Sequence, residues 1–250
     1  MALYFIGLGL NNEKDISING LEAVKKCDVV YLENYTSVLK CKKMDLEKFY
    51  GKKIISARRS LVEADNNEVI ENAKAKNVAF LVAGDPLVAT THIDLFLRAK
   101  REEIKCHVIH NASIICAVGV TGLQAYKFGK TTSIPLENEN IEAPYVALKD
   151  NLSLGLHTLF LLDLNPEEEK FLSINDAIRY LLKVELRRNE RIFSEKTFCV
   201  GCVRIGSENQ AIKAGTAKDL LKHNFGKPAH CLIVPGKLHF MEEKALKMWE

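Results

Sequence analysis

The sequence predicts a two-domain α/β protein, with a largely parallel N-terminal sheet covered on both faces and an α+β C-terminal half. Three observations carry that expectation. Short, continuously apolar runs alternate with amphipathic helical patterns from Tyr4 to Val118, as expected of strands buried on both faces. The stretch from Pro135 to Pro144 is polar and aperiodic around Glu137-Asn138-Glu139-Asn140, the character of a linker. Beyond it, strands rich in β-formers recur at a different spacing.

In the first half, the expected strands cover residues 4–8, 29–32, 54–57, 78–83 and 107–109. Helices are expected over residues 20–26, 68–76, 92–101 and 112–118. The linker sets a boundary near Leu136, giving domains of residues 1–136 and 137–250. In the second half, residues 158–162, 197–205 and 229–234 read as strands, and residues 174–186 and 216–222 as helices. A last amphipathic helix is expected within residues 240–250. No repeat or low-complexity segment interrupts this order.

Bulk properties narrow the functional classes. The chain has 250 residues, 47% of them hydrophobic, which is enough for a sizeable core. A net charge of +3, spread along the chain, names no nucleic-acid partner. The longest apolar runs, Val78 to Ala83 and Cys231 to Val234, stop far short of the roughly 20 residues needed to span a bilayer. The first residues enter Leu3-Tyr4-Phe5-Ile6-Gly7 directly, without a basic leader, so the expected location is the cytoplasm. Seven cysteines, an odd number, fit reduced core thiols better than a disulfide framework. Cys199-Val200-Gly201-Cys202 has CxxC spacing. Within a strand, however, residues three apart face opposite ways, and no second pair completes a metal site, so no metal is expected.

In an open α/β sheet, ligands collect beyond the carboxyl ends of the strands. Three such ends stand out: Gly7-Leu8-Gly9-Leu10, Gly84-Asp85-Pro86 and His110-Asn111-Ala112-Ser113-Ile114. Gly7-x-Gly9 opens like a dinucleotide fingerprint, but Asn12 occupies the third glycine position, so a tight strand-to-helix turn accounts for it equally well. The glycine and proline flanking Asp85 hold its carboxylate at the sheet's mouth. It could accept a ligand's hydrogen or merely stabilise its own turn. Asn111 and Ser113 have the same two readings, ligand contact or helix cap.

Longer stretches separate these readings. Leu8-Gly9-Leu10, Val30-Tyr31-Leu32-Glu33-Asn34-Tyr35-Thr36-Ser37, Gly84-Asp85-Pro86-Leu87-Val88-Ala89-Thr90-Thr91-His92, His110-Asn111-Ala112-Ser113-Ile114 and Gly122-Leu123-Gln124-Ala125-Tyr126-Lys127-Phe128-Gly129 occur in order along the chain. With Gly155-Leu156-His157-Thr158-Leu159, Cys199-Val200-Gly201 and Ala214-Gly215-Thr216, they closely resemble diphthine synthase over essentially the whole length.

That resemblance implies a tetrapyrrole methylase-like fold in which two α/β domains enclose S-adenosyl-L-methionine in the cleft between them, usually in a homodimer. It places cofactor contacts at Leu10, Asp85, Val88, Ser113, Ile114, Leu162, Ile205 and His230. Several are apolar, which suits an adenine ring. Position 88 is glycine in some relatives and valine here, favouring a backbone contact. The implied reaction methylates the amino group of a modified histidine on translation elongation factor 2, a step of diphthamide biosynthesis. Aligning the amine with the methyl carbon and excluding water is the main task, worth roughly 7–11 kcal/mol at best. No covalent nucleophile is needed. No motif singles out a proton acceptor, and water could serve, so the catalytic residue is unassigned.

The quick passage from Leu164-Asn165-Pro166 to the helix at Ile174 resembles the compact forms that stop at three methyl groups, whereas longer relatives also esterify the carboxylate. Trimethylation is therefore expected, with a tetramethylating methyl ester synthase as the alternative. A tetrapyrrole methyltransferase is a further alternative. A nicotinamide oxidoreductase would rest on Gly7-x-Gly9 alone, and a non-catalytic scaffold for the elongation factor would bind the cofactor without turnover.

Overall fold

The computed structural model describes residues 1–35, 38–64 and 67–250. Thr36 and Ser37, part of one stretch quoted above, lie outside the described residues. The chain divides into two compact units, Met1–Ile114 and Ile115–Glu250.

The first unit runs β1 (Ala2–Gly7), α1 (Ile18–Lys26), β2 (Val29–Glu33), α2 (Lys43–Tyr50), β3 (Ile55–Ala57), α3 (Arg59–Glu63), α4 (Glu68–Ala75), β4 (Asn77–Val82), α5 (Ile93–Arg101) and β5 (Lys105–Ile109). Its sheet has the order β3-β2-β4-β1-β5, and every pairing is parallel. Leu3, Phe5, Val78, Phe80 and Val82 pack into a core on one face, while Ile6, Ala79 and Leu81 pack into another on the opposite face. The alternation follows from the two-residue repeat of a strand. With apolar side chains needed on both faces, the runs read as continuously hydrophobic. Full burial of a side chain such as Phe80 or Leu81 contributes about 1.5–3 kcal/mol.

The second unit contains β6 (Thr132–Ile134), α7 (Ala143–Ser153), β7 (Thr158–Leu162), a short hairpin of β8 (Leu164–Asn165) and β9 (Lys170–Phe171), α8 (Ile174–Arg188), β10 (Phe198–Val203), β11 (Ala211–Thr216), α9 (Ala217–Lys222), β12 (His230–Val234) and α10 (Phe240–Leu246). The five-stranded sheet is ordered β11-β10-β12-β7-β6 and is mixed: β6 and β7 are parallel, the other pairs antiparallel. Helix α8 turns Ile174, Ala177, Ile178, Leu181 and Val184 into the core with Phe160 and Leu232. It starts at a capping box, where Ser173 Oγ accepts from Asp176 N–H (3.1 Å) and Asp176 Oδ2 accepts from Ser173 N–H (3.1 Å).

Several expected elements shift. The boundary expected near Leu136 falls inside the second unit, because Thr132, Ser133 and Ile134 pair with Phe160, Leu161 and Leu162 of β7. The linker expected to end at Pro144 gives way to α7, with that proline in its first turn, a favourable place for a residue lacking an N–H. The helix expected over residues 112–118 is shorter. Only Ile114–Ala117 (α6) is α-helical, followed by a 3-10 turn, Val118–Thr121.

Candidate functional site

The strands β4, β1 and β5 that carry the three glycine- and asparagine-containing ends are immediate neighbours, so all three loops leave the same side of one sheet. Two of them are stitched together beyond the strands: Gly9 N–H donates to Gly84 C=O (3.2 Å) and Gly84 N–H to Gly9 C=O (2.7 Å). Both glycines have positive φ, +76° and +75°, a backbone conformation costly for other residues. At Gly7 the requirement is space, since a Cβ there would lie 2.6 Å from Gly84 O and 2.8 Å from Asn111 Cβ. The Gly7-x-Gly9 pattern thus serves close packing of three loops.

Asp85 ties the second loop to the third. It is 5% exposed. Its Oδ1 accepts from Leu87 N–H (3.1 Å), the turn-stabilising reading of the sequence. Its Oδ2 faces His110 Nδ1 (2.8 Å) and accepts from Asn111 N–H (3.2 Å). Asn111 in turn ties the third loop to the first, its Nδ2 donating to Gly7 C=O (2.9 Å) and Asp15 C=O (3.0 Å). That is a brace across loops rather than the helix cap considered for this residue. Asp15 completes the set: its Oδ2 accepts from Leu10 N–H (3.2 Å) and Asn11 N–H (2.8 Å).

The loop after Asp85 is held by its own polar groups. Pro86 C=O accepts from Thr90 Oγ1 (3.0 Å) and faces His92 Nδ1 (3.1 Å). Tyr35 Oη lies 3.4 Å from His92 Nε2. Burial among Phe80 and Tyr35 pushes the His92 imidazole below the usual histidine range, against the opposing hydrogen bond to Pro86. A neutral ring, with Nδ1–H donating to Pro86, satisfies both contacts. Of the expected ligand contacts, Leu10, Asp85, Val88, Ser113 and Ile114 therefore lie on this one end of the first sheet. Asp85 and Ser113 are buried, and Leu10, Val88 and Ile114 are half-buried.

The other three expected contacts gather at one end of the second sheet. Leu162 closes β7, His230 opens β12 and Ile205 follows β10; Cys231 pairs with Leu161, and His230 with Val203. All three are buried. His230 Nε2 faces Lys227 C=O (3.1 Å), leaving Nδ1 as the acceptor nitrogen. Among the described residues that buried Nδ1 has no partner, and neither does Ser207 Oγ in the adjoining loop. Burial lowers the His230 pKa, outweighing the Lys227 contact. A buried acceptor and a buried hydroxyl without partners are costly unless a ligand satisfies them. In the first unit, Asn11 Oδ1, beside Leu10, is a third such atom.

Two features escaped sequence reasoning. His110 was one letter of a matching stretch, and nothing in the sequence couples it to Asp85. The other is Glu242, fully buried, whose Oε1 accepts from Gln124 N–H (2.9 Å) and faces His157 Nε2 (2.9 Å). Its Oε2 accepts from His239 N–H (2.8 Å) and pairs with Lys127. Here the Gly122-Leu123-Gln124 and Gly155-Leu156-His157 stretches meet the C-terminal helix. Cys199 and Cys202, the CxxC pair, lie buried as free thiols in β10.

A parallel sheet with a braced aspartate loop at its carboxyl end, followed by a mixed sheet, defines a methyltransferase of the tetrapyrrole methylase type: residues 2–221 match the family of tetrapyrrole (corrin/porphyrin) methylases. The chain is 45% identical over 248 residues to the diphthine synthase of Methanococcus maripaludis (strain C6), covering 98% of this chain and 97% of that one. It is 46% identical to a protein of Arabidopsis thaliana named probable diphthine methyl ester synthase, covering 99% and 98% of the two chains. A crystal structure of a diphthine synthase superposes with a TM-score of 0.91 at 40% identity, covering 100% of this chain and 96% of that chain. The chain belongs to the tetrapyrrole methylases and, within them, to the diphthine synthases.

Proposed function

We propose that this enzyme transfers three methyl groups from S-adenosyl-L-methionine to the amino group of the aminocarboxypropyl-modified histidine of translation elongation factor 2, giving diphthine, and that it acts as a homodimer in the cytoplasm. The observation that carries the reading is the full-length likeness to the Methanococcus maripaludis diphthine synthase. Among the described residues no helix is long and apolar enough to cross a membrane.

The unpartnered buried atoms fit the cofactor. His230 Nδ1 and Ser207 Oγ are suited to the amine and hydroxyl groups of an adenosine. Leu162 and Ile205 supply the apolar wall for its ring. Leu10, Asp85, Val88, Ser113 and Ile114 hold the cofactor at the end of the first sheet. When bound, the sulfonium supplies an activated methyl group with a good leaving group. What the protein contributes is alignment, because the Gly7, Gly84 and Asn111 contacts fix three loops before any ligand arrives.

The plant relative's name favours a second reading, a fourth transfer that esterifies the carboxylate. Its alignment extends over 271 positions, against 248 for the archaeal protein, so it carries insertions that this chain lacks, which supports the three-methyl outcome. The test incubates the protein with labelled S-adenosyl-L-methionine and elongation factor 2 bearing the unmethylated aminocarboxypropyl histidine, then weighs the product. Three added methyl units support diphthine and four support the ester. No mass gain refutes methyl transfer to this substrate.

A further inference from the structure

Methylating an amine releases one proton for each methyl group, and the roles given so far provide no acceptor for it. We propose that His110 is that acceptor and Asp85 its positioning residue, an inference that rests on the methyltransferase reading above.

The geometry singles out this pair. His110 Nδ1 lies 2.8 Å from Asp85 Oδ2, with Asp85 5% exposed and the His110 side chain 71% exposed. An ionised carboxylate only accepts hydrogen bonds, so the proton of the neutral imidazole sits on Nδ1. The lone pair of Nε2 then faces outward at the mouth of the first sheet. Nε2 has no hydrogen bond among the described residues, since the only contact of His110 is to Asp85. The carboxylate is itself held by Leu87 N–H and Asn111 N–H, so the ring is oriented before substrate arrives and the imidazolium that forms meets a fixed negative charge. This is the usual division of labour between a base and the acid that orients it.

Among the described residues, three other ionisable groups near this end are already committed. Asp15 Oδ2 accepts from Leu10 and Asn11, Glu33 Oε1 from Tyr35 N–H (2.7 Å), and both nitrogens of the buried His92 are engaged. In each cycle an N–H bond of the substrate ammonium breaks and its proton passes to His110 Nε2. The freed lone pair forms the new nitrogen–carbon bond while the carbon–sulfur bond breaks, its electron pair remaining on sulfur. Nε2 then returns its proton to water, one for each methyl transferred.

The test compares wild type, His110→Ala and Asp85→Asn with the modified elongation factor, measuring kcat and KM, with S-adenosyl-L-methionine affinity by calorimetry and folding by circular dichroism. His110 is exposed, so His110→Ala remains folded and binds cofactor within about threefold of wild type. Its kcat falls by about 10²–10³, the usual weight of a positioned base, and added imidazole restores at least tenfold of that loss. Asp85→Asn lowers kcat while imidazole restores little, because its histidine is still present but misoriented. An unchanged kcat, a loss confined to KM or cofactor affinity, or a loss in His110→Ala that imidazole does not repair would each overturn the assignment. Absence of methylated product with wild type itself would instead overturn the reading beneath it, and the two failures are told apart by which protein shows them.

Discussion

Glu242→Gln is the substitution whose cost the structure fixes most fully. Burial alone would raise this carboxyl, but the Lys127 ammonium, the Gln124 and His239 N–H groups and His157 outweigh it and hold the pKa at about 2. Measured from the ordinary 4.5, that is a gap of roughly 2.5 units, or about 3 kcal/mol of differential stability at 1.36 kcal/mol per unit. Glutamine keeps the shape but loses the charge facing Lys127, and turns an NH₂ toward groups that are themselves donors. The expected loss is therefore about 3 kcal/mol at neutral pH, which for a chain of this size lowers Tm by about 6–12 °C.

The single tryptophan, Trp249, donates to Thr121 C=O (3.0 Å) next to this cluster, so its fluorescence follows the C-terminal segment while circular dichroism follows the whole protein. The sign of the pH dependence is fixed as well. A carboxyl with a depressed folded-state pKa contributes fully above its unfolded value, and the contribution drains away as pH falls toward the folded one. The stability gap between wild type and Glu242→Gln, taken from urea unfolding, is expected to be flat from pH 8 to 6 and to narrow below about 4.5. Glu185 is also held at about 2, by Tyr145 and three N–H groups that overcome its burial, but it is present in both proteins and cancels from the difference. A Tm shift under 2 °C, or a gap that stays constant as the medium is acidified, would show that the cluster does not carry the energy assigned to it.

Three further outcomes are expected. Asp85→Ala removes the acceptor shared by His110, Asn111 and Leu87, so calorimetry is expected to show cofactor affinity at least about tenfold weaker in a protein that still folds, one to two lost hydrogen bonds in effect; unchanged affinity would leave Asp85 a turn stabiliser only. Gly7→Ala forces a methyl against Gly84 O and Asn111 Cβ and is expected to cost about 1–3 kcal/mol in thermal unfolding, together with weaker cofactor binding; wild-type stability would mean the loops yield freely. Alkylation of the native protein, followed by mass spectrometry, is expected to mark the exposed Cys116 first, while the buried Cys27, Cys199 and Cys202, the first two with thiols pushed upward by burial and Cys202 by its contact with Cys231 and then by burial, react only on unfolding. Early labelling of Cys199 would contradict the packing of β10.

Much of the first unit was legible because its strands must be apolar on both faces, which leaves runs such as Val78 to Ala83 that resemble nothing else in the chain. The elements that escaped are those whose burial is partial. Helix α2 buries only Leu46 and Tyr50, too sparse a stripe for periodicity to register. Strand β11 is mostly half-buried at an edge, and β6 has only three residues. The boundary expected near Leu136 and the division of the chain after Ile114 differ for a related reason: Glu137 to Asn140 is polar as a surface loop within the second unit, and local polarity does not distinguish such a loop from a linker. Pro144 was the available correction, since a proline followed by Tyr145, Ala147 and Leu148 is as good a helix start as a linker end.

At the site, residue type was legible and partnership was not. Each of Gly7, Asp85 and Asn111 had two readings in the sequence because its bonds reach 25 to 104 positions along the chain, and only the strand order β4-β1-β5 brings them together. The structure also alters how the two readings relate. Asp85 bonds its own turn through Oδ1 and His110 and Asn111 through Oδ2, so stabilising the turn and orienting the exposed imidazole are done by one carboxylate. Methyl transfer to an amine needs alignment more than covalent chemistry, and a misplacement of about 1 Å costs on the order of a hundredfold in rate. A carboxylate held by two N–H groups, Leu87 of its own loop and Asn111 of the next, is fixed before it meets the neighbouring His110 ring. The rigidity that makes Gly84-Asp85-Pro86 look structural is then what suits it to the chemistry.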